Sequence, residues 1–233
     1  HRGPQKKRDE PWQPMPELGV ALASWLSSRG TGEDVAGEPL QGERAEVARI
    51  KEVAGGLESS YLFVQGPPGA GKTFTGAQLA IELIAGGKTV GVAANSHKAI
   101  CNLLEEIEVE GEKAGAPVRG LKRSSSPEQE FHRADVDPDA SMIANSGSNA
   151  DLEDPGELNL LAGTAWLWCR EGMRSSVDYL IVDEAGQISL ADAIAMSVAA
   201  QNLILLGDPM QLAQVSQGTH PPASGVSVPA VPR

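Results

Sequence analysis

Gly66, Pro67, Pro68, Gly69, Ala70, Gly71, Lys72 and Thr73 follow one another in the pattern G-x-x-x-x-G-K-T. Residues of these types at this spacing can hold a chain of phosphates. The glycines let backbone N–H groups turn inward around the oxygens, the lysine brings a cation to the outer phosphates, and the threonine hydroxyl is a ligand for Mg²⁺. Phe74 closes the expected nucleotide-binding set. A second group stands at residues 177–184, VDYLIVDE, where an apolar run ends in two adjacent carboxylates. There Asp183 suits the Mg²⁺ shell, and Glu184 suits the orientation and deprotonation of an attacking water. A third, LILLGDPMQL at residues 203–212, carries the amide of Gln211, which can hydrogen-bond a γ-phosphate. The expectation is a site for ATP and Mg²⁺ with Lys72, Glu184 and Gln211 as catalytic groups and Thr73 and Asp183 as metal ligands.

Such a loop has to lie between a strand and a helix, because the helix N-terminus adds partial positive charge where the phosphates sit. The apolar run 61–64 precedes it and a helical pattern over 72–85 follows. Similar short runs recur at 90–94, 158–162, 180–182 and 203–206, with helical patterns at 42–57, 97–109 and 190–199. Runs apolar on both faces are what a parallel sheet covered by helices requires, so the fold class is α/β and doubly wound. Between residues 111 and 156 the chain turns polar, with Arg119, Lys122, Arg123, a serine run and many aspartates. This segment reads as a long excursion from the sheet, and its basic trio as a solvated loop. Upstream, Leu18, Leu22 and Trp25 recur at helical spacing within an otherwise Pro- and Gly-rich lead-in. The expected organisation is an N-terminal extension over 1–39, partly flexible, an α/β domain over 40–218 and a tail over 219–233.

The chain has 233 residues and a formal net charge of −12, with 41% hydrophobic and 21% charged residues. It is able to bury a core, and its negative field excludes a generic basic nucleic-acid coat, so contact with a polyanion must use a local surface. Cys101 and Cys169 form no CxxC pair, which points away from zinc and towards a reduced, cytoplasmic setting. No run approaches the length needed to cross a bilayer.

GPPGAGKT, then DEAGQ, then GDPMQL resemble motifs I, II and III of superfamily 1 helicases, and the DEAxQ form resembles the 1B branch. The segment AANSHKAI after the second strand and GTAW ahead of the carboxylate pair are similar to the helicase portion of bacterial fusion proteins that also carry a RecB-like nuclease. The resemblance spans roughly residues 40–222. It implies a RecA-like motor domain in which Asn95, Ser96 and Thr164 contact the backbone of a single nucleic-acid strand, DNA ahead of RNA, and Gln211 senses the γ-phosphate. It also implies a parent protein with a second RecA-like domain and a nuclease domain, neither lying within these 233 residues, and hence low turnover in this chain alone. Two other readings share the phosphate loop: a nucleotide-binding module without turnover, and a P-loop kinase or small-molecule ATPase. By its motif position His97 could touch a strand phosphate. Of Trp166 and Trp168, at period-two spacing after a strand, one or both read as packing residues before base-stacking ones.

Overall fold

The computed structural model describes residues 43–66 and 69–208. The extension over 1–39 with its Leu18, Leu22 and Trp25 helix, the tail over 219–233, Pro67, Pro68 and Gln211 lie outside the described residues. In chain order the elements are α1 (Glu43–Gly55), β1 (Tyr61–Gln65), α2 (Lys72–Ala85), β2 (Val90–Ala93), α3 (His97–Ala114), β3 (Gly120–Arg123), β4 (Ile143–Ser146), α4 (Ala150–Glu153), β5 (Leu160–Ala162), α5 (Ala165–Trp168), β6 (Val177–Val182), α6 (Leu190–Ser197) and β7 (Ala200–Gly207). The seven strands form one sheet in the order β1-β7-β6-β2-β5-β3-β4, and every neighbouring pair is parallel. This is the α/β P-loop NTPase fold anticipated above.

The central strands are buried along their length, Val90–Ala93 and most of Val177–Val182 among them, which is why they read as continuous apolar runs. α2 buries Leu79, Ala80, Leu83 and Ile84, and α3 buries Ile100, Leu103, Leu104 and Ile107. These faces share one core with Val92, Ile181, Ile204 and Leu206 of the sheet. Each large aliphatic side chain there contributes about 1.5–3 kcal/mol by leaving water. Helix α3 begins where the Ser96 hydroxyl accepts from Ala99 N at 3.1 Å and ends at Gly115, whose φ of 61° stops the helix.

Residues 111–156 are not an excursion from the sheet. They complete α3 and then return with β3 and β4, which form one edge of the sheet. Their sequences, GLKR and IANS, carry few apolar residues because the edge strand β4 buries only Ile143, while β3 beside it buries alternate positions, held by Gly120 and Lys122. Of the basic trio, Arg119 is exposed and precedes β3 as a solvated loop residue, but Lys122 and Arg123 lie on β3. Lys122 is fully enclosed, Arg119 pairs with Glu157 at 3.0 Å, and Arg123 Nε donates to Asn149 Oδ1 at 2.7 Å.

Candidate nucleotide and strand site

The carboxyl ends of β1, β7 and β6 lie side by side, and the phosphate loop leaves the first of them. Gly66 N donates to Gly207 O at 3.2 Å, tying the start of the loop to the end of β7. Gly69 and Gly71 adopt φ of 78° and 76°, a left-handed conformation that costs a side-chain-bearing residue roughly 1–2 kcal/mol. Gly71 caps α2, and Thr75 N donates back to its carbonyl at 2.8 Å. The loop therefore delivers Lys72 and Thr73 on the first turn of a helix whose N-terminal N–H groups face the loop. Lys72 Nζ donates to Gly66 O at 2.6 Å, across the mouth of the loop. Phe74 is largely exposed.

Thr73 and Asp183 are 110 positions apart in the chain, yet Thr73 Oγ1 donates to Asp183 Oδ2 at 3.4 Å. Asp183 is 5% exposed, and its other oxygen accepts from Glu184 N at 2.8 Å. Burial pushes the Asp183 pKa up, against the opposing pull of the Glu184 N–H, the Thr73 hydroxyl and the Lys72 charge. Glu184 is raised too, by burial first and by the Asp183 charge second. Its backbone is left-handed, with φ of 52°, a strained conformation for a residue with a Cβ. That turn ends β6 abruptly and sets two carboxylates at the strand end in different surroundings, one sunk beside Thr73 and one half-buried.

A hydroxyl and a carboxylate converging at this distance fit Mg²⁺, which takes one or two protein oxygens and completes its shell with phosphates and water. The raised Asp183 pKa fits as well, since a divalent cation would offset the cost of burying the charge. Among the described residues no group of three or more His, Cys, Asp or Glu could hold a metal ion by itself, and no helix is long and apolar enough to cross a membrane.

The residues assigned to strand contact gather at the ends of β2 and β5, which pair through Val92 and Ala162. Asn95 and Ser96 are exposed, with the Ser96 hydroxyl serving as the α3 cap, and Thr164 is half-buried with no side-chain cap bond of its own. The two tryptophans divide. Trp168 is 0% exposed and its Nε1 donates to Gly163 O at 3.0 Å and Val92 O at 3.3 Å, whereas Trp166 is 87% exposed. Trp168 fits only because Gly91 lacks a side chain: a Cβ there would lie 2.6 Å from the indole. Sequence reasoning missed the partner of His97, whose Nδ1 lies 3.3 Å from Lys122 Nζ. No local pattern signals that contact, because Lys122 occupies a position where inward-facing strand residues are apolar.

The family model described as AAA domain matches residues 49–221, most of the chain. The chain belongs to the AAA domain family. This AAA domain has an α/β P-loop fold. It is 28% identical over 174 residues to the DNA replication ATP-dependent helicase/nuclease DNA2 of Mus musculus, a match covering 73% of this chain and 16% of that protein. It is 25% identical over 175 residues to the DNA replication ATP-dependent helicase/nuclease JHS1 of Arabidopsis thaliana, covering 72% of this chain and 12% of that protein. The AAA domain therefore spans less than a fifth of the curated relatives it matches. Among solved structures, a nuclease-deletion mutant of the Type ISP restriction-modification enzyme LlaGI in complex with a DNA substrate mimic covers 72% of this chain and 17% of its own at 17% identity, with a TM-score of 0.48.

Proposed function

We propose that this AAA domain is the first motor domain of a superfamily 1B-type helicase, binding ATP with Mg²⁺ and coupling its hydrolysis to movement along a single strand. The observation that carries the reading is the convergence of Thr73 and Asp183 at 3.4 Å, with Lys72 on the loop and Glu184 beside them. When bound, Mg-ATP supplies the scissile phosphoanhydride and the cation that neutralises its oxygens. The chain's own groups do the rest. The loop N–H groups and Lys72 hold the phosphates, while Thr73 and Asp183 hold the metal. Glu184, its pKa raised towards the range where a carboxylate is an effective base, orients the water and takes its proton. Gln211 is assigned the γ-phosphate.

Asn95, Ser96 and Thr164 offer hydroxyls, an amide and backbone N–H groups to a strand backbone, and the exposed indole of Trp166 offers a stacking face to an unpaired base. The relatives named as DNA replication helicase/nucleases support DNA ahead of RNA and a nuclease in the parent protein, while its second motor domain and RecB-like character rest on the motif resemblance. An arginine finger from a second domain is worth about 10³ to 10⁵ in turnover, so this chain alone should hydrolyse slowly. Steady-state phosphate release with and without single-stranded DNA tests the reading. Slow, Mg²⁺-dependent release that the strand accelerates is the expected result. No release under either condition would reduce the domain to a nucleotide-binding module, and release indifferent to the strand would favour a small-molecule ATPase.

A further inference from the structure

Lys122 lies on β3 in register with Ala162 of β5, its surface 0% exposed. An ammonium has three N–H donors and no acceptor. Three acceptors surround this one: Ser124 Oγ at 3.1 Å, His97 Nδ1 at 3.3 Å and the Gln129 carbonyl. All three are neutral, and among the described residues no carboxylate lies within ion-pair distance of Lys122. Burial lowers the Lys122 pKa, while Cys101 and Glu130 act in the opposite direction.

The contact settles the chemistry of the imidazole. An ammonium that donates to Nδ1 needs the ring lone pair there, so the ring proton belongs on Nε2. A second ring proton would set imidazolium against ammonium. Burial, then Lys122, then Arg123 hold the His97 pKa below its ordinary value. Among the described residues the hydrogen bonding of His97 is confined to Nδ1. The half-buried ring opens α3 directly after the exposed Asn95 and Ser96, at the end of β2, next to the β5 end that carries Thr164 and Trp166. A cation behind a neutral ring also polarises it and strengthens Nε2–H as a donor towards an anion. In a chain of net charge −12 such a donor reaches a phosphate without a surface cation.

We propose that Lys122 is a positioning residue that locks His97 in its Nε2–H tautomer, and that this N–H donates to a phosphate of the bound single strand. The donor role rests on the strand-binding reading above; the lock does not. Long-range ¹⁵N–¹H correlation spectra of the histidine-labelled 233-residue chain, recorded near neutral pH without nucleic acid, read the tautomer directly. His97 should show the Nε2–H pattern in the wild type, and Lys122→Met should convert it to mixed tautomers. An Nδ1–H pattern in the wild type, or an unchanged pattern in Lys122→Met, overturns the lock. If Lys122→Met fails to fold, Lys122→Leu takes its place, with the same two outcomes.

Fluorescence anisotropy with a labelled oligothymidylate then reads the donor. His97→Gln, whose amide N–H₂ falls near the position of Nε2, should bind within about twofold of wild type. His97→Ala and His97→Asn should bind about 10- to 100-fold more weakly, the worth of one hydrogen bond to a charged group. Equal binding by all four proteins overturns the donor role. No binding by the wild type overturns the strand reading and the donor role together, while the spectrum still reports on the lock.

Discussion

At the ends of β1, β7 and β6, Asp183 is buried with a raised pKa, and the contacts it makes are a hydroxyl at 3.4 Å and one backbone N–H. Around β3 and β4 the buried charges find close partners inside the domain. Glu108 Oε1 accepts from Met142 N at 2.6 Å and Ser141 Oγ at 2.7 Å, while its Oε2 accepts no hydrogen bond and lies 3.7 Å from Arg133. Arg133 reaches Asp135 at 2.8 Å and Glu112 at 2.9 Å. Glu108 thus has a cation of the domain within ion-pair distance, whereas among the described residues Asp183 has none, an arrangement that fits a ligand cation beside Asp183. Lys122 stands between the two cases, structurally satisfied yet acting through His97.

Substitutions on the two sides should separate these roles. The largest effect is expected on catalysis: Glu184→Gln should keep nucleotide binding and lose about 10² to 10⁴ in the rate of a single round of hydrolysis. Unchanged single-round kinetics would assign the water to another group. On the opposite side, Glu108→Ala should lower stability by about 1–3 kcal/mol in denaturant unfolding, because it leaves the Met142 N–H and the Ser141 hydroxyl without their buried acceptor, while Arg133 keeps Asp135 and Glu112. Nucleotide affinity of the folded fraction should not change. A loss of affinity at full stability would mean that the two regions are coupled rather than separate.

Smaller effects sharpen the same contrast. Gly91→Ala should cost about 1–3 kcal/mol by overpacking, since its Cβ would meet Trp168 at 2.6 Å and Leu180 at 2.9 Å. The smallest effect is expected for Asp183→Asn without nucleotide. An acid whose folded pKa is raised holds its proton more tightly in the folded state, so stability falls as pH rises from the ordinary value of 3.8 through the raised one. The asparagine variant should therefore match or exceed wild-type stability at neutral pH, with the gap closing in acid. A wild type more stable than the variant at neutral pH would show that Asp183 is a structural partner of Thr73.

The legible parts of the molecule are those where chemistry constrains residue type locally. Gly69, Gly71, Lys72 and Thr73 are readable because left-handed backbone, a cation and a hydroxyl are needed at fixed spacing, and the structure places them in one loop opposite Asp183. The central strands are readable because burial on both faces leaves a continuous apolar run. β3 and β4 escape that criterion, and the enclosure of Lys122 depends on His97, Ser124 and Gln129, which no short window holds together. The tryptophan pair shows what the period decides: one of the two packs, as expected, and the helix determines which. Read on a strand, Trp166 and Trp168 share a face, but on α5 residues two apart point about 200° from each other. One therefore faces inward and the other outward.

The central claim is that the loop and the end of β6 together form a Mg²⁺-dependent nucleotide site. Calorimetric titration of the wild type and Lys72→Ala with ATP and ADP, with and without Mg²⁺, tests it most directly. The account predicts Mg²⁺-dependent binding by the wild type and an affinity at least about 10-fold weaker in Lys72→Ala, the loss expected when a charge-assisted contact to phosphate is removed. Equal affinities in the two proteins, or binding indifferent to Mg²⁺, would contradict it.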